Sequence, residues 1–184
     1  MKNLLFAAPL VLAACAGSFE YAPRKYPDRL RWNVSSVEVT FRDERPKTVA
    51  APPPVPAVTL PGNGEVADVT LPREFSAFVR YRLARLVTGS GEPIKLDIHV
   101  VKARVGWSAG AVSETESAEV ELRFHVATRN GRLLVEGVGT GSHEFSSSDA
   151  SDQELRDVFR AACSDALDNF LSHDVTYRAL NASR

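Results

Sequence analysis

The chain has 184 residues, with 22 Lys and Arg against 23 Asp and Glu, for a formal charge of -1. That near-balance argues against a nucleic-acid binder, which would carry a basic patch or a high pI. The length suits one domain, and two cysteines are too few for a fold held by disulfides.

The chain opens Met1-Lys2-Asn3, a short positive start, and Leu4 to Ala14 follows without a charge. This run is about half of the roughly 20 apolar residues that a helix needs to span a bilayer. A positive start, a short apolar run and small residues at its end mark a secretory signal peptide. A buried core helix is the alternative, but it would need capping residues and a polar face, and both are missing.

Ser18 to Trp32 carries two prolines and mixed charge, with Arg24, Lys25, Arg29 and Arg31 clustered. It reads as a solvated tether, or as a contact with anionic head groups. Val34 to Asp43 alternates Val37, Val39 and Phe41 against Glu38, Thr40 and Arg42, the pattern of a half-buried strand. Lys47 to Val69 is too rich in proline and glycine for a helix or a central strand. A loop of that length is either loosely packed or a partner-binding loop.

Pro72 to Thr88 predicts an amphipathic helix. Phe75, Phe78, Val79, Leu83, Leu86 and Val87 form the apolar stripe, Arg73, Arg80, Arg82 and Arg85 lie mostly off it, and Gly89 stops it. Ile94 to Trp107 predicts a strand whose apolar parity changes after Val100, from Ile94, Leu96, Ile98 and Val100 to Val101, Ala103, Val105 and Trp107. A β-bulge near Val100 to Lys102 would repair that slip. Gly106 to Ser117 then reads as a loop or a frayed hairpin end.

Ala118, Val120, Leu122, Phe124 and Val126 alternate with polar residues, and Asn130-Gly131 predicts a two-residue hairpin turn. That turn pairs Arg129 with Arg132, Val126 with Val135, Phe124 with Gly137, Leu122 with Gly139 and Val120 with Gly141. The Gly137 to Gly141 stretch is therefore not a phosphate loop, which would sit between a strand and a helix. Its three glycines share the apolar face, and the last helix is expected to lie over them. That helix is predicted over Asp152 to Leu171, begun by a Ser151 to Glu154 capping box. Ala162 and Ala166 on its stripe are small enough for a close approach, and Cys163 beside them reads as a buried small hydrophobe.

The expected fold class is α+β, a two-layer sandwich with two helices on one face of a four-stranded, largely antiparallel sheet, in the order β-α-β-β-β-α. The chain divides into a signal peptide over 1–14, an anchor and tether over 15–32, one domain over 33–178 with the Pro-rich loop over 47–69, and a C-terminal tail over 179–184.

Leu12-Ala13-Ala14-Cys15 resembles the bacterial lipobox, where a signal peptidase cuts before a cysteine that then carries diacylglycerol and a further acyl chain. By that resemblance Cys15 is the lipid attachment site, and two or more chains give stable anchoring where one does not. Ala16 and Gly17 lack the Asp that favours inner-membrane retention, which points to the outer membrane. The lipobox, the Lys95 to Val105 strand, the Ala118 to Gly137 hairpin and the Asp152 to Asp174 helix together resemble small outer-membrane lipoproteins of the YajG-like and LptE-like kind. YajG-like proteins have no settled role. LptE-like ones imply a structural adaptor for a β-barrel that exports lipopolysaccharide. The proline loop departs from both patterns.

No catalytic, metal or cofactor pattern stands out. His99, His125, His143 and His173 lack helical i, i+4 zinc spacing, and no cysteine pair has zinc spacing. His125 is expected to face Glu136 across the hairpin as an ordinary cross-strand pair. Ser142 and His143, adjacent in a strand, would point apart. The expectation is a non-enzymatic binding or assembly subunit, lipid-anchored on the periplasmic side of the outer membrane. Its partner would be an envelope protein, a β-barrel or a transporter. Its working surface would be Glu119, Glu121, Arg123 and His125 on the polar sheet face, or the end bearing Trp107. Trp107 reads equally as an interface anchor or as a plug for one end of the core. The alternative is an accessory lipoprotein of a lipid or solute transporter that holds an apolar ligand between sheet and helices.

Overall fold

The computed structural model describes residues 31–45, 63–67, 69–109, 113–147 and 151–181. Strands β1 (Trp32–Asp43), β2 (Gly64–Ala67), β3 (Val87–Ala109), β4 (Glu114–Thr128) and β5 (Leu133–Ser147) form one sheet. Helices α1 (Phe75–Leu86), α2 (Asp152–Leu171) and α3 (Asp174–Asn181) complete the fold.

The class is α+β as expected and the sheet is largely antiparallel, but it has five strands rather than four and is mixed, with one parallel pair. The order is β1-β3-β4-β5, with β1 parallel to β3 and β2 antiparallel to the far half of β3. The parallel pair follows from the crossover through α1, since a helix joining two strands in one sheet returns the chain to the same end. β2 escaped notice because its four residues carry no full alternation and sit beside the Pro-rich stretch. They are held by pairing Gly64 to Ala67 against Arg104 to Trp107. Val69, also inside the segment read as loop, is buried and donates its N–H to the Ala103 carbonyl at 3.0 Å. The prolines 52–54 lie outside the described residues.

A third helix corrects the count of two. Its last residue clips the start of β1: the Asn181 amide donates to the Arg31 carbonyl at 3.0 Å and accepts from the Asn33 N–H at 3.1 Å. Trp32, placed in the tether by sequence, is the first residue of β1 and wholly buried.

α1 is shorter than expected. Pro72 stands before it in a turn, its carbonyl accepting from Phe75 N–H, and Val87 is already extended. Gly89 does have φ +81°, but within β3, so the chain passes from helix to strand with no glycine cap. The β3–β4 ladder shifts register between Val100 and Lys102, where the parity change demanded a bulge. Beyond it the ladder runs on from Val105 opposite Ala118 to Ala109 opposite Glu114, so most of the segment expected to be loop is strand.

The β4–β5 hairpin has the predicted register with a different turn. Gly131 N–H donates to the Thr128 carbonyl and Thr128 N–H to the Arg132 carbonyl, with Gly131 at φ +86°. That is a three-residue loop closed by a left-handed glycine, and Arg129 does not face Arg132. The register shift between Val126 and Ala127 restores the lost residue, so Val126 opposes Val135 and Val120 opposes Gly141 as expected.

α2 lies directly on β5. A Cβ at Gly139 would overlap the Ala166 carbonyl oxygen, and one at Gly141 the Ala162 carbonyl oxygen. Phe170 covers Gly137 and stacks on Phe124 with ring centroids 4.2 Å apart. The capping box forms as read, with Glu154 N–H donating to Ser151 Oγ at 3.2 Å and Ser151 N–H to Glu154 Oε2 at 2.9 Å. Cys163 is wholly buried, and burial, reinforced by the Glu74 charge, pushes its thiol far up, so it stays protonated. The two main helices are joined by a buried ion pair: Arg82, 2% exposed, meets Asp168 at 3.2 Å, and its guanidinium also lies 4.9 Å from the centre of the Phe78 ring.

Two outcomes follow. Gly139→Ala and Gly141→Ala should each destabilise the fold by about 1–3 kcal/mol in chemical denaturation, because the clash is with backbone that cannot rotate away. Asp168→Ala should cost about 3–5 kcal/mol, because it strands the Arg82 charge in the core.

Candidate functional site

The face of the sheet away from α2 is polar. β3 presents Asp97, His99, Lys102 and Arg104 there, and β4 presents Glu119, Glu121, Arg123 and His125, all at alternate positions of the ladder. These are side chains that the period-2 alternation turns from the core. Each cation for which a contact is seen has a carboxylate beside it. Lys102 meets Glu119 at 2.6 Å, and Arg104 meets Glu65 at 3.3 Å and Glu119 at 4.0 Å. Glu44, just past β1, binds His99 Nδ1 at 2.6 Å and Arg123 at 3.1 Å. His99 is only 6% exposed, and its ring lies 4.7 Å from that of His125. His125 faces Glu136 as expected, 3.2 Å away.

Part of this face is hollow. A trough of about 470 Å³ opens among Glu65, Arg104, Ser117, Glu119, Ser142 and Glu144. Its walls are oppositely charged and hydrogen-bonding, so it suits a polar segment of a partner better than an apolar ligand. The four residues singled out on β4 thus share one surface, and the structure adds Glu44, His99, Arg104 and Glu65 to it. Glu44 lies just past β1 and Glu65 in the four-residue β2, segments that carry no pattern, so only the fold could bring them in.

Trp107 does not join this surface. It pairs with Gly64 and Glu116 on the opposite face, its ring packed over Gly64 against the core. It closes one end of the core, one of the two readings that the sequence allowed. Cys15, with Leu12, Ala13 and Ala14 before it, lies outside the described residues. Among the described residues no helix is long and apolar enough to cross a membrane, and no group of three or more His, Cys, Asp or Glu is placed to hold a metal.

The sequence reading missed Glu116. It shares parity with Ala118, Val120 and Leu122, so it faces the helices, between Trp107 on β3 and Phe145 on β5. Its exposure is 0%, and neither carboxylate oxygen has a hydrogen-bond partner of good geometry among the described residues. Burial pushes its carboxyl above the ordinary 4.5 and the nearby Glu154 charge adds to this; Ser151 N–H opposes it and Glu114 raises it slightly further. The signal was available, since an acid in register with five core residues breaks the alternation.

The folded state therefore holds the Glu116 proton more tightly than the unfolded chain does. Stability from this group is greatest in acid and falls as pH rises through the raised pKa. Glu116→Gln should raise stability near neutral pH by about 1 kcal/mol. The gain over wild type should vanish below the ordinary carboxyl range in thermal melts recorded across pH.

No protein-family model matches the chain, and no curated protein matches it. Among solved structures the fold is similar to the crystal structure of a minor lipoprotein from Acinetobacter baumannii. The two are 11% identical, the match covers 80% of this chain and 93% of that one, and the TM-score is 0.46.

Proposed function

We propose that the chain is a lipoprotein anchored through acylated Cys15 on the periplasmic side of the outer membrane, where it serves as a non-enzymatic binding or assembly subunit of the cell envelope. The observation that carries the second half is the contact of α2 with Gly137, Gly139 and Gly141, where no room is left for a side chain. A carrier of apolar ligands needs a cleft between its layers, and this interface is shut. The first half is supported by the apolar run that ends at Leu12-Ala13-Ala14-Cys15.

The polar trough on the outer sheet face is the working surface in this reading. Arg104, Glu65 and Glu119 in it are already paired with neighbours, so a partner need not bring a strong opposite field. It would be selected by hydrogen bonds and shape, and like-charge mismatches would exclude others. The layout resembles YajG-like and LptE-like lipoproteins, and an adaptor for a β-barrel is one role of that kind.

Mass spectrometry of the mature protein should find diacylglycerol on an amino-terminal Cys15, and Cys15→Ser should move the protein out of the membrane fraction. An unmodified terminus or a cytosolic protein would sink the anchor. A photo-crosslinking residue in place of Glu121 should capture an envelope protein that the same group in place of Ser164 on α2 does not. Equal capture from both positions would sink the working surface.

A further inference from the structure

The arginines of α1 differ from those of the sheet. Phe75, Phe78, Val79, Leu83 and Leu86 are buried, while Ala77, Arg80, Tyr81, Ala84 and Arg85 are exposed. Those exposed positions are spaced i, i+3, i+4, i+7 and i+8, a single stripe along the helix. Arg73, exposed just before α1, extends it by another turn. No Asp or Glu occurs between Phe75 and Gly91.

Among the described residues, Arg73 and Arg80 have no carboxylate within ion-pair distance. The Arg85 guanidinium instead lies 4.5 Å from the centre of the Tyr81 ring, which is 44% exposed. On the sheet face Lys102, Arg104 and Arg123 each have an acid beside them. A solvent-facing stripe of arginines around a half-exposed tyrosine is open to a counter-charge from outside. The combination of guanidinium, small alanines and an amphipathic ring suits a lipid headgroup layer.

The tether enters the fold at this helix. Trp32 pairs with Val87, the residue that follows α1. The chain from Cys15 to Arg31 reaches at most roughly 55 Å, and α1 is about 18 Å long. An anchor at Cys15 thus brings the whole stripe within range of the bilayer. At its other end the stripe meets a groove of about 550 Å³, lined by Arg73, Arg156 and the ion pair of Arg160 with Glu74, beside Leu71, Pro72 and Phe159. Three arginines against one carboxylate, next to apolar side chains, would suit a phosphate with its glycerol end.

We propose that the outer face of α1, from Arg73 to Arg85, docks on an anionic phospholipid surface and sets the orientation of the domain, leaving the polar sheet face turned toward its partner. This rests on the lipoprotein reading above.

The described strands and helices lie within 31–181, so the chain from residue 15, carrying Cys15→Ser, contains all of them without an acyl group. It should bind vesicles of phosphatidylcholine mixed with phosphatidylglycerol and not vesicles of phosphatidylcholine alone. The triple variant Arg73→Gln, Arg80→Gln, Arg85→Gln should weaken that binding roughly a hundredfold. The matched sheet-face triple Arg42→Gln, Arg104→Gln, Arg123→Gln should weaken it far less. Thermal unfolding of both triples checks that they fold. Equal weakening by the two triples would assign the effect to net charge. Absence of binding to anionic vesicles would assign the stripe to an acidic protein. Either result overturns the proposal. Because no acyl chain is present, such a failure alongside an acylated Cys15 in the cell removes the membrane contact alone, whereas an unmodified Cys15 removes the anchor alone.

Discussion

The structure depends on one close approach, the backbone of α2 resting on the backbone of β5. Gly139 and Gly141 supply no Cβ, Ala162 and Ala166 supply only a methyl, and the two main chains meet where side chains would ordinarily hold a helix and a sheet about 10 Å apart. This arrangement sacrifices strand stability, since glycine is a poor strand former. Phe170 and Phe124 offset the loss by stacking over the gap. Cys163, next to Ala162 on the same helix, is buried as the sequence implies and is inert packing.

With that face of the sheet closed, interaction is left to the surfaces, and these are built on opposite electrostatic plans. The outer sheet face matches charge with charge across neighbouring strands, including the Glu44 bridge between His99 and Arg123. α1 leaves Arg73 and Arg80 uncompensated among the described residues, although the same helix satisfies its one buried cation, Arg82, with Asp168. A matched surface discriminates among polar partners at short range. An unmatched one acts at longer range and loses strength with salt. The two plans suit a domain that must lie against something anionic on one side and recognise something particular on the other.

Glu116 fits neither plan. It sits with Trp107 and Phe145 at the end of the core, beside the first turn of α2. A carboxyl there loses hydration without gaining a well-placed partner, and its raised pKa records that cost. Proximity to the helix amino terminus offsets part of the penalty, since the free N–H groups there favour negative charge. The net effect is a local weakness at the Glu116 position of β4.

By itself the sequence determined whatever is periodic or chemically local. The alternation from Ala118 to Val126, the parity change at Val100, the Ser151 to Glu154 cap and the glycine parity of Gly137, Gly139 and Gly141 each follow from a repeat of two or of 3.6 residues. All reappear in the fold. Even the hairpin register survived a wrong turn type, because core burial specifies the register more strongly than the loop does. Tertiary structure alone decided what depends on residues far apart in the chain. It added β2 through pairing with β3, turned Arg82 inward because Asp168 waits on α2, drew Glu44 onto the sheet face and sent Trp107 to the core end. These are contacts between segments with no period of their own, so their placement follows from the surface the rest of the fold presents to them.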